Sequence, residues 1–388
     1  MAPDPLVSVI VVTWNGLPLL RRTLPAVLAQ SLPGGATLEL LVVDNASRDG
    51  TAEYLARLRA GDPRVRALFN RRNEGFAGPN NQGFAAARGA FVATLNNDAV
   101  PQPGWLEALL AVTGGDPRIG SVASRMVFQH APHLIQSAGI TIDRAAIAWD
   151  RLAGRPLAEG EAAPVEVFGA SAGAALYRTE MLRQLGGFDP RFFMYLEDVD
   201  LAWRARIAGW RAFSAPQAVV RHAHSATAGE GSPLKNWHLG RNKVWTIARC
   251  YPAPGLARYL PAVLLYDLGS LPYTMVTRRD ASPLLGRLAA LRSLGPALAE
   301  RRRLQGRYPD AWERTAPWME PLRPPLAVFG RYQRLRQVLG GRGSSPRAGV
   351  LRAGVTRRWP WGPFRGRRAR GLAAPWRRPP AGRPRAES

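Results

Sequence analysis

A chain of 388 residues with 53 basic side chains against 28 acidic ones, net charge +25, is long enough to bury one large core or two. Its single cysteine, Cys250, excludes an intramolecular disulfide and a multi-cysteine metal site, and suits a reducing compartment. The polar, proline-containing start at residues 1–5 runs straight into an apolar strand, so no secretory signal is read there and a cytosolic location is expected. The charge is unevenly spread: residues 277–388 carry 26 arginines against six acids. A GC-rich genome would explain the preference for arginine, since only Lys235 and Lys243 are lysines, but not the scarcity of acids in the tail.

Residues 7–95 predict short apolar strands alternating with helices: strand 7–12, helix 19–30, strand 38–43, helix 51–60, strand 65–69, helix 79–87 and strand 91–95. This is the pattern of a parallel sheet covered by helices on both faces. From 119 to 220 the pattern is mixed, with strands at 121–128, 165–168, 174–177 and 218–220 and a helix over 198–208, so the sheet gains antiparallel members. A helix from 234 through Trp245 ends near Cys250, where Pro252 and Pro254 follow. Residues 256–276 are strongly apolar but interrupted by Arg258, Pro261, Asp267 and Pro272, which argues for an interfacial or re-entrant segment rather than an unbroken spanning helix. Beyond 340 the Arg, Pro and Gly content predicts disorder. The expected division is a catalytic domain over 1–250, a helical, membrane-associated region over 251–340 and a disordered basic tail over 341–388.

Polar clusters punctuate the carboxyl ends of the strands, where open α/β sheets bind ligands. Thr13, Trp14, Asn15 and Gly16 close the first strand; Asp44, Asn45, Ala46 and Ser47 close the second. Asp44 can accept hydrogen bonds from a base or ribose, although taken alone it and Ser47 are better read as ending a strand and capping the next helix. The loop from Asn73, Glu74 and Gly75 to Asn80 and Gly83 is polar and glycine-rich and opens a helix. Its backbone can approach a ligand closely and its N–H groups can hold phosphate oxygens; an ordinary loop with Pro79 in the first helical turn is an equal reading. Asn96, Asn97 and Asp98 end the fourth strand, and the carboxylate suits Mg²⁺ or Mn²⁺ bridging two phosphates.

Further on, an aromatic loop with Phe192, Phe193 and Tyr195 leads to Glu197, Asp198 and Asp200. Asp198 is the candidate base for removing a hydroxyl proton, with Asp200 as the fallback, and all three acids also suit the positive start of a helix. His222 and His224 follow a strand, and one imidazole could join a metal or contact a diphosphate. Arg241 and Lys243, on either side of Asn242, offer cations to phosphate or lie on a solvated helix face.

Taken in order, VSVIVVTWNG, VVDNAS, NEGFAGPNNQG, LNND, GGFDPRFFMYLEDVDLAWRARIAGW, HAHSATAG and GRNKVW resemble the family 2 glycosyltransferases, in particular the rhamnosyltransferase-like branch that builds bacterial cell-surface polysaccharides. The resemblance spans residues 7–248. It implies a GT-A fold, an αβα sandwich with a mixed sheet. It also implies inverting transfer of a single sugar, with rhamnose the branch's example, from a nucleotide-diphospho-sugar to a glycan or lipid-linked glycan, assisted by Mg²⁺ or Mn²⁺. Asp198 would be the base. Thr13, Asn15, Asp44, Asn73, Gly75, Asn80, Asn97 and Asp98 would meet the donor, and Gly169, Ala170, Tyr195 and Glu197 the acceptor. Asp98, His222 and His224 would meet the metal. The Asn-Asn-Asp motif replaces a two-aspartate motif, which loosens the expectation of metal dependence. The Q-x-x-R-W element of processive synthases is absent, which favours single-sugar transfer.

An oxidoreductase is disfavoured because no G-x-G-x-x-G follows the first strand, and a nucleotidyltransferase because no Gly-rich, basic-ended loop does. The alternative from another class is an inactive relative of these transferases that binds nucleic acid or membrane. Retention of every candidate carboxylate argues against it. The apolar stretch and the basic tail together predict a peripheral position on the inner face of the cell membrane, with an anionic surface as partner and nucleic acid disfavoured. The oligomeric state is left open by the sequence.

Overall fold

The computed structural model describes residues 6–223 and 232–340. The first half alternates strand and helix: β1 (Val7–Thr13), α1 (Leu17–Leu28), β2 (Leu38–Asp44), α2 (Thr51–Gly61), β3 (Val65–Phe69), α3 (Ala77–Ala86) and β4 (Phe91–Asn96). There follow β5 (Ala99–Pro101), α4 (Trp105–Thr113), β6 (Ile119–Phe128), β7 (Ala131–Ser137), β8 (Ile140–Asp143), β9 (Ala148–Asp150), β10 (Ala174–Arg178), α5 (Thr179–Leu185), α6 (Glu197–Ile207) and β11 (Arg211–His222). The C-terminal part holds α7 (Pro233–Cys250), α8 (Ala253–Arg278), α9 (Ser282–Leu291), α10 (Leu294–Arg307), α11 (Ala311–Thr315), β12 (Met319–Glu320) and α12 (Pro325–Gly340).

The main sheet runs β3-β2-β1-β4-β10-β6-β11-β5, with β7 paired to β6. The pairs β3–β2, β2–β1 and β1–β4 are parallel, whereas β10 is antiparallel to both β4 and β6. Alternate side chains of β1 go to opposite faces: Val7, Val9 and Val11 pack with Leu24 and Trp105, and Ile10 with Phe84 and Leu182. Both faces are therefore dry, which is why the strands are apolar throughout. The 165–168 stretch, expected as a strand, makes only an isolated bridge from Glu166 to Phe213. Instead β8, β9 and β12 form a second, three-stranded sheet that brings residue 319 back to residue 142.

Residues 251–340 share a core with the α/β part. Trp203 of α6 packs edge-to-face on Tyr251, 5.2 Å between centroids, and Tyr251 on Trp312. Helices α7 and α9 cross where both are smallest: a Cβ on Gly240 would lie 2.4 Å from the Pro283 carbonyl, and one on Gly286 2.2 Å from that of Trp237. The interrupted 256–276 segment is neither re-entrant nor broken. It lies inside the continuous helix α8, which accommodates Pro261 and Pro272, while Asp267 turns into the protein and pairs with Lys243 at 3.0 Å and Arg287 at 2.7 Å. Among the described residues no helix is long and apolar enough to cross a membrane. The expected disorder of 341–388, and His224 with its neighbours Ser225 and Thr227, lie outside the described residues.

Candidate active site

The parallel register aligns Thr13 with Asp44 and Val12 with Asn96, so the polar ends of β1, β2 and β4 meet at one edge. Asn97 donates from Nδ2 to Thr13 Oγ1 at 3.1 Å and accepts at its carbonyl from Thr23 Oγ1 at 2.8 Å. The N–H of Asn15 donates to Ser47 Oγ, and Asn15 Oδ1 accepts from the Arg48 N–H, both at 2.8 Å. Asp44 accepts from both the hydroxyl and the N–H of Ser47. Burial nevertheless raises its carboxyl above the ordinary value, against the lowering effect of Ser47. A buried acceptor at the sheet's carboxyl edge suits a sugar hydroxyl or base N–H.

Asp98 and His222 meet where β4 gives way to β5 and β11 ends. Asp98 Oδ1 lies 2.9 Å from His222 Nε2, and His222 Nδ1 lies 2.9 Å from Gln136 Oε1. If Nδ1–H donates to Gln136, Nε2 is an acceptor and takes the Asn96 Nδ2–H at 3.1 Å beside the Asp98 carboxylate, so a cation bound at Nε2 would displace the Asn96 donor. Two ligands of an octahedral ion at about 2.1 Å stand about 3 Å apart, so the spacing of Asp98 and His222 suits two ligands of an Mg²⁺ or Mn²⁺ ion. Among the described residues no group of three His, Cys, Asp or Glu side chains gathers to hold an ion by itself.

The glycine-rich loop behaves differently from the expected phosphate cradle. The first amides of α3 are taken: the N–H groups of Phe76 and Ala77 donate to the Phe193 carbonyl at 2.6 and 3.1 Å. Gly75, at φ 80°, lies so close to this carbonyl that a Cβ would approach it to 2.4 Å. The carboxamide of Asn73 caps the Gly75 N–H, while the side chain of Asn80 is buried and donates back to the Phe76 carbonyl. Asn81 exchanges two hydrogen bonds with the backbone of Phe188. This loop holds the 186–196 segment against α3.

That segment carries three non-glycine residues in the left-handed region, Phe193, Tyr195 and Leu196, at φ 66°, 69° and 65°. Such conformations cost about 1–2 kcal/mol per residue, and the restraint comes from α7. Asn242, fully buried, donates through Nδ2 towards the carbonyls of Phe192, Met194 and Tyr195 at 3.1, 2.9 and 2.7 Å. Arg241 is sandwiched between Trp237 and Trp245, 4.6 Å from each centroid, and donates to the Arg191 and Phe192 carbonyls. Burial lowers its pKa to about 10. His238, whose pKa burial lowers to about 3, stacks on Phe193. Arg241, Asn242 and Lys243 therefore face inward instead of offering cations to phosphate. The GRNKVW motif marks the spot, but its sequence does not show that the asparagine grips a loop 50 residues upstream.

The strained loop delivers Asp198 to the first turn of α6. Its carboxylate accepts from the Ala172 N–H at 3.1 Å and from its neighbour's N–H at Val199 at 2.8 Å. Burial, less the effect of the Ala172 amide and reinforced by the negative charge of Asp150 on β9, pushes its pKa up to about 6. Glu197 is also buried, and its Oε2 has no hydrogen-bond partner, so burial and the adjacent Asp198 hold it protonated well above the ordinary carboxylate range. Near neutral pH the pair thus keeps its charge on Asp198, where two amides receive it.

Two acceptor-side expectations need correction. Glu197 and Ala170 are buried, Ala170 within the apolar layer beneath the sheet, so neither presents its side chain to a cleft. Gly169 is packed so that a Cβ would meet that of Ala202 at 2.2 Å, and its carbonyl accepts from Ile140. The contact of the 169–173 segment with Asp198 is made by the Ala172 amide. Tyr195 remains partly open, with Lys235 Nζ 5.4 Å from its ring centroid. Asp200, the fallback base, is fully buried and paired with Arg204 at 2.8 Å and Arg249 at 3.1 Å, which removes it from contact with any substrate.

A parallel nucleotide-binding half, continued by antiparallel strands and carrying its carboxylates at the sheet's carboxyl edge, is a GT-A fold. GalNAc-T7, solved with UDP, GalNAc and Mn²⁺, shares that fold: TM-score 0.55 at 18% identity, over 80% of this chain and 59% of that one. Residues 8–186 match Glycosyl transferase family 2. The N-acetylglucosaminyl-diphospho-decaprenol L-rhamnosyltransferase of Mycobacterium tuberculosis is 31% identical over 255 residues, which are 59% of this chain and 80% of the relative. The chain belongs to glycosyltransferase family 2. It also matches the uncharacterized protein y4gI of Sinorhizobium fredii at 30% identity over 253 residues, 62% of this chain, and there spans only 27% of the relative's length.

Proposed function

We propose that this protein is an inverting glycosyltransferase that moves a single sugar from a nucleotide-diphospho-sugar to a hydroxyl of a glycan or lipid-linked glycan. The observation that carries the reading is the junction at residues 172 and 173. The N–H of Ala172 holds the carboxylate of Asp198, and the carbonyl of Gly173 accepts from the N–H of Asn96, two residues before Asp98. The base and the diphosphate-binding edge are thus joined through consecutive residues. In this arrangement Thr13, Asn15 and Asp44 receive the nucleoside, and Asp98 with His222 faces the diphosphate. Asp198 accepts the acceptor's O–H proton as that oxygen bonds to the anomeric carbon, while the carbon–oxygen bond to the diphosphate breaks with its electron pair. A divalent cation at Asp98 and His222 would neutralise the diphosphate as it leaves.

Residues 1–250 form the catalytic unit in this reading and 251–340 its helical support. Rhamnose is the first sugar to test and a diphospho-polyprenol glycan the first acceptor, because the mycobacterial relative is named for both. A lipid-linked acceptor places the enzyme peripherally at the cytoplasmic face of the membrane. The test is a panel of nucleotide-sugars with Mg²⁺ or Mn²⁺, read by nucleoside diphosphate release and by donor-dependent thermal stabilisation. Acceptor-dependent release with one sugar added is expected. A full panel with neither release nor stabilisation would leave the inactive binding protein as the better reading.

A further inference from the structure

Among the described residues, every large apolar side chain open to solvent, apart from Trp14, Phe69 and Leu234, falls between residues 260 and 329. On α8, Leu264, Leu265, Leu268 and Val276 lie on one side of the helix, and Val276 is 78% exposed. The opposite side carries Val263, Asp267 and Leu271, all buried. Neighbouring helices fix the flanks. Arg287 of α9 pairs with Asp267, and Phe329 of α12 packs edge-to-face on Tyr273 at 5.4 Å. On the neighbouring helices, Leu285 of α9 and Leu326 of α12 are also open to solvent, the latter 84% exposed. A helix buried on one side and apolar on the other is built for a further partner.

Charge selects that partner. Residues 251–340 contain fourteen arginines against six acids, and residues 341–388 thirteen arginines against one. A second copy would bring the same positive surface against itself, and the chain's own residues 341–388 would bring more positive charge still. An anionic bilayer offers apolar interior to the leucines and phosphate to the arginines. Since α8 is not apolar enough to cross, it would lie in the interface plane.

We propose that the outward side of α8, flanked by α9 and α12, is the surface by which the protein lies on an anionic lipid bilayer. This rests on, and localises, the membrane placement given above. Helix α9, beside α8, packs on α7, whose Asn242 grips the loop leading to Asp198. The membrane-facing layer is therefore one helix removed from the loop that positions the base, as a lipid-linked acceptor requires.

The test uses full-length protein with vesicles of phosphatidylcholine alone, or containing roughly one-third phosphatidylglycerol, in co-sedimentation at low and high salt. Binding to the anionic vesicles is expected. The double variant Leu265→Glu/Val276→Glu, altered only at exposed positions, should bind at least about tenfold less with an unchanged melting temperature and unchanged diphosphate release with a soluble acceptor. Vesicle binding needs no donor, so it can fail while the transferase reading stands, and the reverse. Wild type that stays in solution with anionic vesicles at low salt overturns the proposal, as does a double variant that binds like wild type. A wild-type dimer that the same substitutions dissolve would assign the face to a second copy instead.

Discussion

Replacing Asp198 with asparagine keeps the side chain's shape and removes the charge, and leaves one oxygen for one of the two amides, Ala172 and Val199, that now bond different carboxylate oxygens. Loss of a positioned base slows transfer by about 10²–10⁴-fold, with donor-dependent stabilisation nearly unchanged. Stability should move the other way. A pKa raised from 3.8 to about 6 is a shift of about two units, and at about 1.4 kcal/mol per unit ionising this group in the folded protein costs about 3 kcal/mol. Between those pH values the folded state binds more protons than the unfolded state, so wild-type stability falls as pH rises from about 4 to about 6. The full cost is present above pH 6 and absent below 4. Urea unfolding of both proteins at pH 4 and pH 7.5 measures this: relative to wild type, the variant should gain up to about 3 kcal/mol between the two. The same ionisation sets an acid limb in turnover near pH 6, above which activity levels off. A stability difference that is equal at both pH values, or a variant with wild-type turnover, would refute the assignment of a strained, ionisable base.

Asp200→Asn should leave the Arg204 and Arg249 charges buried without their full complement and cost about 3–5 kcal/mol, lowering the melting temperature. Turnover per folded molecule at low temperature should persist, and its loss there would return Asp200 to the reaction. Asp98→Asn should abolish the extra thermal stabilisation that Mn²⁺ gives in the presence of donor, and chelation of wild type should do the same. Undiminished Mn²⁺-dependent stabilisation in the variant would remove Asp98 from the metal. Gly75→Ala places a Cβ within 2.4 Å of the Phe193 carbonyl at a φ that costs about 1–2 kcal/mol. Transfer should fall at least about tenfold, and proteolysis within residues 186–196 should accelerate. Wild-type rates would show that the Gly75–Phe193 contact does not position the base.

The strands over 7–95 are legible because both faces of a parallel sheet are dry: each strand is an apolar run bounded by polar clusters, and 65–69 is read residue for residue. Asp44 and Asp98 at strand ends, and Asp198 at a helix start, are legible for the same reason, since the periodicity changes at those points. What the sequence leaves open depends on where separate segments meet. Glu197, Asp198 and Asp200 are three acids within four residues, and only packing divides them. Glu197 is buried with its own Oε2 unpaired, Asp198 is held by a loop amide, and Asp200 is matched to two arginines, one of them on another helix. Likewise Asn242 reads as one polar residue among cations until the fold brings three carbonyls around it. Periodicity and residue type are local properties, and the sequence determines by them which elements form and which edge of the sheet is polar. Burial and pairing depend on side chains far apart in the chain, so only the tertiary structure decides which carboxylate is left ionisable at the site.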